Sequence, residues 1–349
     1  MILYVLRYFP TLTETFVHQE IRGLAAAGVP VALAAFDPRD DPGATPIGVP
    51  FFPQPHRWGW LRAFVPMAFE WLRRPGWVPI RVLWLTTIVR RVRRVHVHFA
   101  GEAAEWTRLA CARAGVPYSV TVHAVDMFKP RAGLREVLRD AAVVVTISEY
   151  NRKAILENYG IAAEIVRYGV RVEALGPPDP ASPPVILAVG RWVPKKGLDT
   201  LAAVAPRLNR AATVRFVSDA PALPGVDVVG LRPHAEIPAL LRGASLFVLP
   251  CRRAPDGDLD GLPVAIIEAM ASGLPIITTA VSGIPELVDA EVGWIVPPDD
   301  EAALLDAIRD ALDHPEEAAR RGRAGRERVI ARGFTHATSV ASMRAVLSA

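Results

Sequence analysis

The stretch Asp260-Gly-Leu-Pro-Val-Ala-Ile-Ile-Glu268-Ala-Met-Ala-Ser-Gly273-Leu-Pro275 holds two carboxylates eight residues apart. A Gly-Leu-Pro turn follows the first and an apolar run surrounds the second. Pro263 suits a first helical position, where its missing N–H would have no partner, and Gly273 suits the left-handed residue that ends a helix. The spacing therefore predicts a helix over about 263–272, with Asp260 in the loop before it and Glu268 on its second turn. A loop carboxylate, the backbone amides of Gly261 and Leu262 and a positive helix N-terminus together suit a polyhydroxylated, phosphorylated ligand.

A second group gathers cations. Gly190-Arg191-Trp-Val-Pro-Lys195-Lys196-Gly197 stands between an apolar strand pattern (185–189) and a helix pattern (about 198–208), so Arg191 and Lys196 lie beside a helix N-terminus that favours anions. Lysine is scarce: only Lys129, Lys153, Lys195 and Lys196 occur, two of them adjacent here. A third group is histidine. In Val95-His-Val-His-Phe99 the alternation puts His96 and His98 on one strand face. A His-x-His pair can bind metal, but with no third ligand evident the pattern reads as a strand end at a polar crevice. His123 follows the strand pattern 118–122, where a histidine at a strand end can hold a ligand oxygen or serve only structure. Asp256, Asp258 and Asp260 evoke a metal-binding Asp-x-Asp; that motif directly follows a strand, whereas Cys251 to Pro255 intervene here, and no metal is expected.

The Asp260/Glu268 stretch resembles the carboxylate-x7-Glu signature of retaining GT-B glycosyltransferases, most closely glycosyltransferase family 4. Val281-Ser-Gly-Ile-Pro-Glu286-Leu-Val, Gly293-Trp-Ile-Val-Pro-Pro and Thr121-x-His123-x-x-Asp126 are similar to that family too. Asp256-Gly-Asp-Leu-Asp260-Gly-Leu-Pro and Phe9-Pro-Thr-Leu-Thr-Glu14-Thr-Phe16 resemble its colanic-acid and exopolysaccharide branch. The resemblance implies an α/β chain of GT-B fold, two doubly wound Rossmann-like domains facing across a cleft. It implies retaining, metal-independent transfer of a sugar from a nucleotide diphosphate sugar to a glycan, lipid-linked or small-molecule acceptor.

In that reading Arg191 and Lys196 clamp the pyrophosphate, and Glu268 accepts from ribose hydroxyls. Asp260 holds donor-sugar hydroxyls with the Gly261 and Leu262 amides. His123 joins Asp260, Arg191 and Lys196 as catalytic residues, and Thr13, Glu14, His98 and Asp126 line the acceptor side or crevice. The nucleotide sugar is a co-substrate, so no cofactor is expected. Two departures stand out: Asp260 replaces the family's usual Glu, and the helix after Ser218-Asp219-Ala220 is missing. A nucleotide-sugar epimerase or a non-catalytic binding protein are the alternatives.

The elements that position these groups read as a two-domain chain. At 349 residues with 51% apolar and 22% charged composition, there is material for two cores. Strand, loop, helix, glycine, strand over residues 2–36 opens a parallel α/β sheet, whose ligands gather at strand C-terminal ends. Thr13 there suits a helix cap as well as a crevice. The Pro-rich 177–184 reads as a linker between a domain at 1–176, binding the acceptor, and one at 185–333, binding the donor. The last piece, about 334–349, is expected to return to the first domain.

Cys111 and Cys251 stand apart in apolar contexts and read as buried free thiols. The first residues are too short for a signal peptide, and no run of about 20 apolar residues spans a bilayer. Between Arg57 and Arg94, five tryptophans and nine arginines accompany one acid, Glu70. That mixture suits docking on an anionic membrane surface through 57–94, with packed tryptophans as the alternative. A cytoplasmic protein, peripheral at the inner face of the plasma membrane, is expected, with no nucleic-acid partner.

Overall fold

The computed structural model describes residues 1–9, 14–38, 48–55, 66–68, 70–71, 79–129, 131–180, 182–208 and 211–348. The chain divides into two compact units: 1–147 with 152–166 and 340–349, and 148–151 with 167–339. The Pro-rich 177–184 thus lies inside the second unit, and the division falls nearer residue 167.

The first unit is built on a parallel sheet of seven strands: β1 (Ile2–Phe9), β2 (Val31–Pro38), β3 (Phe51–Pro53), β4 (Arg94–His98), β5 (Tyr118–Thr121), β6 (Val143–Thr146) and β7 (Glu164–Ile165). Their order is β3-β2-β1-β4-β5-β6-β7, so strand order reverses between β1 and β4. Such a point opens a crevice at the strand C-terminal ends. Both sheet faces are covered, which is why β1 and β2 are near-continuous apolar runs and why even the alternating β4 is buried from Val95 to His98. One cluster packs Leu3, Val5, Phe36, Trp84 and Val97. The other packs Tyr4, Leu6, Ile21 and Leu24, with Val340, Met343 and Leu347 of the helix His336–Ser348.

The second unit repeats the plan with β8 (Val185–Val189), β9 (Thr213–Val217), β10 (Val226–Val228), β11 (Leu246–Leu249), β12 (Ile276–Thr279) and β13 (Gly293–Val296), ordered β10-β9-β8-β11-β12-β13. Every pairing is parallel, and the reversal lies between β8 and β11. The two chemically loaded loops of the sequence, 190–197 and 250–262, leave those two strands. Residues 218–225, between β9 and β10, contain no helix.

Two glycines permit close approaches. Gly197 is left-handed (φ 64°), and a Cβ there would fall on the Pro250 carbonyl oxygen, so the loop after β8 crosses directly over the end of β11. Gly273 (φ 81°) closes the helix Val264–Ala271, and its carbonyl lies where a Cβ on Gly322 would sit. Pro263 turns out to be the residue before the helix: its ψ of 124° is extended, so the chain enters the helix one residue later than expected.

Of the stretch 57–94, residues 57–65, 69 and 72–78 lie outside the described residues, and with them Trp58, Trp60 and Trp77. Trp84 is 5% exposed and packs edge-on against Phe36, so this tryptophan belongs to the core rather than to a surface. Trp71 is 46% exposed. Among the described residues no helix is long and apolar enough to cross a membrane.

Candidate functional site

In the second unit the crossing of the two loops brings Lys195, Lys196, Asp258 and Asp260 together. Lys196 Nζ lies 2.7 Å from Asp260 Oδ2, and Lys195 Nζ lies 3.3 Å from Asp260 Oδ1 and 3.2 Å from Asp258 Oδ1. The side chains of Lys195, Lys196 and Asp260 are 11%, 15% and 15% exposed. The Lys196 stem lies along Gly190, which leaves room for it.

Burial works against the charge of Lys196, but the Asp260 carboxylate outweighs it and the ammonium is held above its usual range. Burial likewise opposes ionisation of Asp260, and Lys196 and Lys195 overcome it, holding the carboxyl below the usual range. Arg191 is exposed beside this group, and its charge is felt at Lys196.

The amides of Gly261 and Leu262 donate to no protein group among the described residues. The Gly261 carbonyl, in contrast, accepts from Gly283 N–H and Ser282 Oγ at 2.9 Å each. The loop is thereby held by its acceptor side.

Glu268 sits on the helix as the spacing required and is 7% exposed. Its Oε1 lies 2.7 Å from His234 Nε2, a residue that sequence reading passed over. The hydrogen bond to Glu268 raises the His234 pKa above its ordinary value, burial opposes the shift, and the Glu268 charge adds to it. A lone histidine in a short loop gave no sequence signal, because its partner is 34 residues away.

Asp219 accepts from Trp192 N–H at 2.6 Å, tying the 218–220 loop to the basic one. Glu286 accepts from the Glu149 and Tyr150 amides at 3.0 and 2.8 Å, capping the helix Glu149–Tyr159.

In the first unit His123 ends the turn after β5. Its backbone N–H donates to Asp126 Oδ2 at 2.9 Å, and its side chain faces the Asp126 amide in a reciprocal capping box. Burial raises the Asp126 pKa to about 6, against the amide bonds from His123 and Ala100. His123 is buried, with its ring stacked on Phe99 at 4.1 Å between centroids. His98, expected at a crevice, is instead buried beneath it, with Nδ1 3.3 Å from His123 Nε2 and Nε2 3.1 Å from Glu20 Oε1. Glu14 precedes the helix Thr15–Ala26, while Thr13 lies outside the described residues.

Metal ligation was set aside for His96 and His98 for want of a third ligand. Glu20 supplies one geometrically: with the two histidines it places ligand atoms within 4.8 Å of one another. His96 is already bonded to Ser119 Oγ at 2.9 Å and Thr121 Oγ1 at 3.1 Å, however. Among the described residues the three aspartates at 256–260 form no such group.

Two family models match this chain: Glycosyltransferase Family 4 over residues 13–174 and Glycosyl transferases group 1 over 183–314. The two models lie end to end, so each half of the chain is similar to a glycosyltransferase domain, the first of them to that of family 4. A putative colanic acid biosynthesis glycosyltransferase, WcaL, of Escherichia coli is 36% identical over 146 residues, 37% of this chain and 36% of that protein. A GDP-mannose-dependent alpha-(1-6)-phosphatidylinositol monomannoside mannosyltransferase of Mycolicibacterium smegmatis is 32% identical over 227 residues, 56% of this chain and 59% of its own length. The matches thus span about a third to three fifths of these curated relatives. The structure of Anabaena Alr3699/HepE in complex with UDP and glucose matches with a TM-score of 0.76 at 16% identity, over 99% of each chain, and supports the GT-B fold.

Proposed function

We propose that this protein is a retaining glycosyltransferase of family 4 that moves a sugar from a nucleotide diphosphate sugar to a glycan, lipid-linked or small-molecule acceptor, in exopolysaccharide or glycoconjugate assembly. The observation that carries the reading is the buried Lys195/Lys196/Asp260 cluster at the strand-order reversal of the second sheet, with Glu268 on the helix that follows. A diphosphate arriving there meets Lys196, Arg191 and the Gly261 and Leu262 amides. Each charged contact stabilises the negative charge that grows on the leaving diphosphate by about 1.5–3 kcal/mol. Asp260 holds the lysines until the donor takes them over, and its carboxylate then serves the transferred sugar's hydroxyls. Glu268 accepts from the ribose. His123 is the first unit's candidate for holding a sugar hydroxyl, on the family resemblance alone.

Retention at the anomeric carbon follows, in this family's chemistry, from front-side attack in which the departing phosphate takes the acceptor's proton, so paired carboxylates at glycosidase spacing are not required. The names of the relatives support the donor class: one is GDP-mannose-dependent and one structural neighbour holds UDP and glucose. None of the relatives compared supports the epimerase alternative. A protein working beside a lipid-linked acceptor would dock peripherally at the cytoplasmic face of the membrane.

Because cationic side chains already neutralise the diphosphate, transfer should need no divalent metal. A transfer assay with labelled nucleotide sugars and a panel of glycan and lipid-linked acceptors, run in EDTA, tests this. Labelled product in EDTA is expected. Activity that vanishes in EDTA and returns with magnesium or manganese contradicts the metal-free mechanism, and an isomerised sugar without transfer contradicts the transferase.

A further inference from the structure

The turn Pro194–Lys196 carries both lysines of the cluster and closes on two backbone bonds, Lys196 N–H to the Val193 carbonyl at 3.0 Å and Gly197 N–H to the Pro194 carbonyl at 3.1 Å. Arg252, in the loop that leaves β11, adds two more from outside. Its backbone N–H donates to the Lys195 carbonyl at 3.0 Å, and its side-chain Nε donates to the Pro194 carbonyl at 2.9 Å. The far end of the same guanidinium is fixed in turn. Nη1 donates to Thr200 Oγ1 at 3.3 Å and to Asp299 Oδ1 at 2.5 Å, and Nη2 donates to Asp199 Oδ2 at 2.6 Å.

Asp199 and Thr200 lie on the helix Leu198–Val204 that follows the turn, and Asp299 follows β13. One side chain, 17% exposed, therefore ties together the loops leaving β8, β11 and β13. Four of its five N–H donors are engaged, so Arg252 is placed to hold the turn rather than a ligand. The two carboxylates offset the charge of a further cation so near Lys195 and Lys196. Lysine side chains lose rotamer freedom when they are ordered, so this pair holds Asp260 or a diphosphate well only if the backbone beneath it stays still. A planar fork can reach a carbonyl with one edge and two carboxylates with the others, whereas an ammonium carries the same charge at a single point.

We propose that Arg252 is a positioning residue for the diphosphate site: it fixes the turn that sets Lys195 and Lys196 against Asp260, and it does so by the shape of its guanidinium rather than by its charge. The consequence for the ligand rests on the transferase reading; the placement of the lysines does not.

Lysine is so scarce that carbon-13 labelling at lysine Cε marks four residues, Lys129, Lys153, Lys195 and Lys196. In NMR spectra of the ligand-free full chain, Arg252→Met and Arg252→Lys should both move the Lys195 and Lys196 signals toward those of Lys129 and Lys153, which are exposed and should stay in place. The introduced lysine of the second variant adds a fifth signal, recognised by its absence from the parent. By titration calorimetry both variants should bind whichever of UDP, GDP, ADP or dTDP the parent binds roughly tenfold more weakly, the scale of one charged contact.

Arg252→Lys is the deciding variant, because it keeps the positive charge and loses the fork. Parent affinity in Arg252→Lys, or Lys195 and Lys196 signals that do not move in it, overturns the proposal, and does so even if Arg252→Met fails to fold. Signals that move as expected in a chain whose parent binds no nucleoside diphosphate would sink the diphosphate site and leave the positioning of the lysines standing.

Discussion

Asp260→Asn removes the carboxylate that Lys196 and Lys195 share while keeping its shape. Lys195 retains Asp258 at 3.2 Å, so the ammonium left without its carboxylate is that of Lys196, 15% exposed and 2.7 Å from the lost charge. Breaking a buried pair from one side costs about 3–5 kcal/mol. With one lysine still paired, the lower end, about 3 kcal/mol, applies. At roughly 2–4 °C per kcal/mol for a unit of this size, the second unit should melt about 6–12 °C lower.

A nucleoside diphosphate would then supply the missing negative charge with no competitor, so its affinity should rise by about tenfold, or about 1.4 kcal/mol. Its stabilisation should exceed that of the parent at equal ligand concentration. The double variant Asp260→Asn/Lys196→Met should regain most of the melting temperature and lose the affinity, which separates pairing from general damage. Scanning calorimetry and titration calorimetry on the parent, Asp260→Asn, Lys196→Met and the double variant read both quantities. An Asp260→Asn protein with parent stability and parent affinity would refute the reasoning.

The pH signs are fixed by the same pair. Asp260 is depressed, so its contribution is present above 3.8 and is lost as pH falls through its lower folded value. Lys196 is raised, so its contribution is present below 10.5 and is lost as pH rises through its higher folded value.

Three further outcomes are expected. Glu268→Ala should weaken binding of the bare nucleoside diphosphate by roughly ten- to a hundredfold, read by titration calorimetry; unchanged affinity would remove Glu268 from the nucleotide site. Because His234 is raised above 6.5, its bond to Glu268 contributes fully below that pH and fades as pH rises through the raised value. The melting-temperature gap between parent and His234→Gln should therefore close as pH rises, and a gap independent of pH would contradict the pairing. Anionic vesicles should float the full chain at low salt through the 57–94 stretch, and flotation equal to that with neutral vesicles would end the membrane proposal.

What sequence could and could not show follows from where partners lie. The helix Val264–Ala271 lies within a residue of its expected bounds at each end, because Pro263 and Gly273 are local punctuation whose physics needs no tertiary context. The basic loop was legible because lysine is so rare elsewhere. Its partner was not: Lys195 and Asp258 are 63 residues apart and meet only because β8 and β11 are neighbours.

Glu20 passed as an unremarked position on the helix Thr15–Ala26, yet it lies 78 residues from the His98 that it anchors. A strand pattern shows that His96 and His98 share a face, but not what covers that face. Trp84 shows the converse limit, since tryptophan beside arginine describes a membrane surface and a packed helix equally well until burial decides.

The most direct test of the account is titration calorimetry of UDP, GDP, ADP and dTDP into the full chain in EDTA. At least one nucleoside diphosphate should bind, and Lys196→Met should weaken it at least tenfold, the loss of one charged contact of about 1.5–3 kcal/mol. If none binds at millimolar concentration, or if the bound one is indifferent to Lys196, the buried lysine–aspartate cluster is not a diphosphate site and the central claim fails.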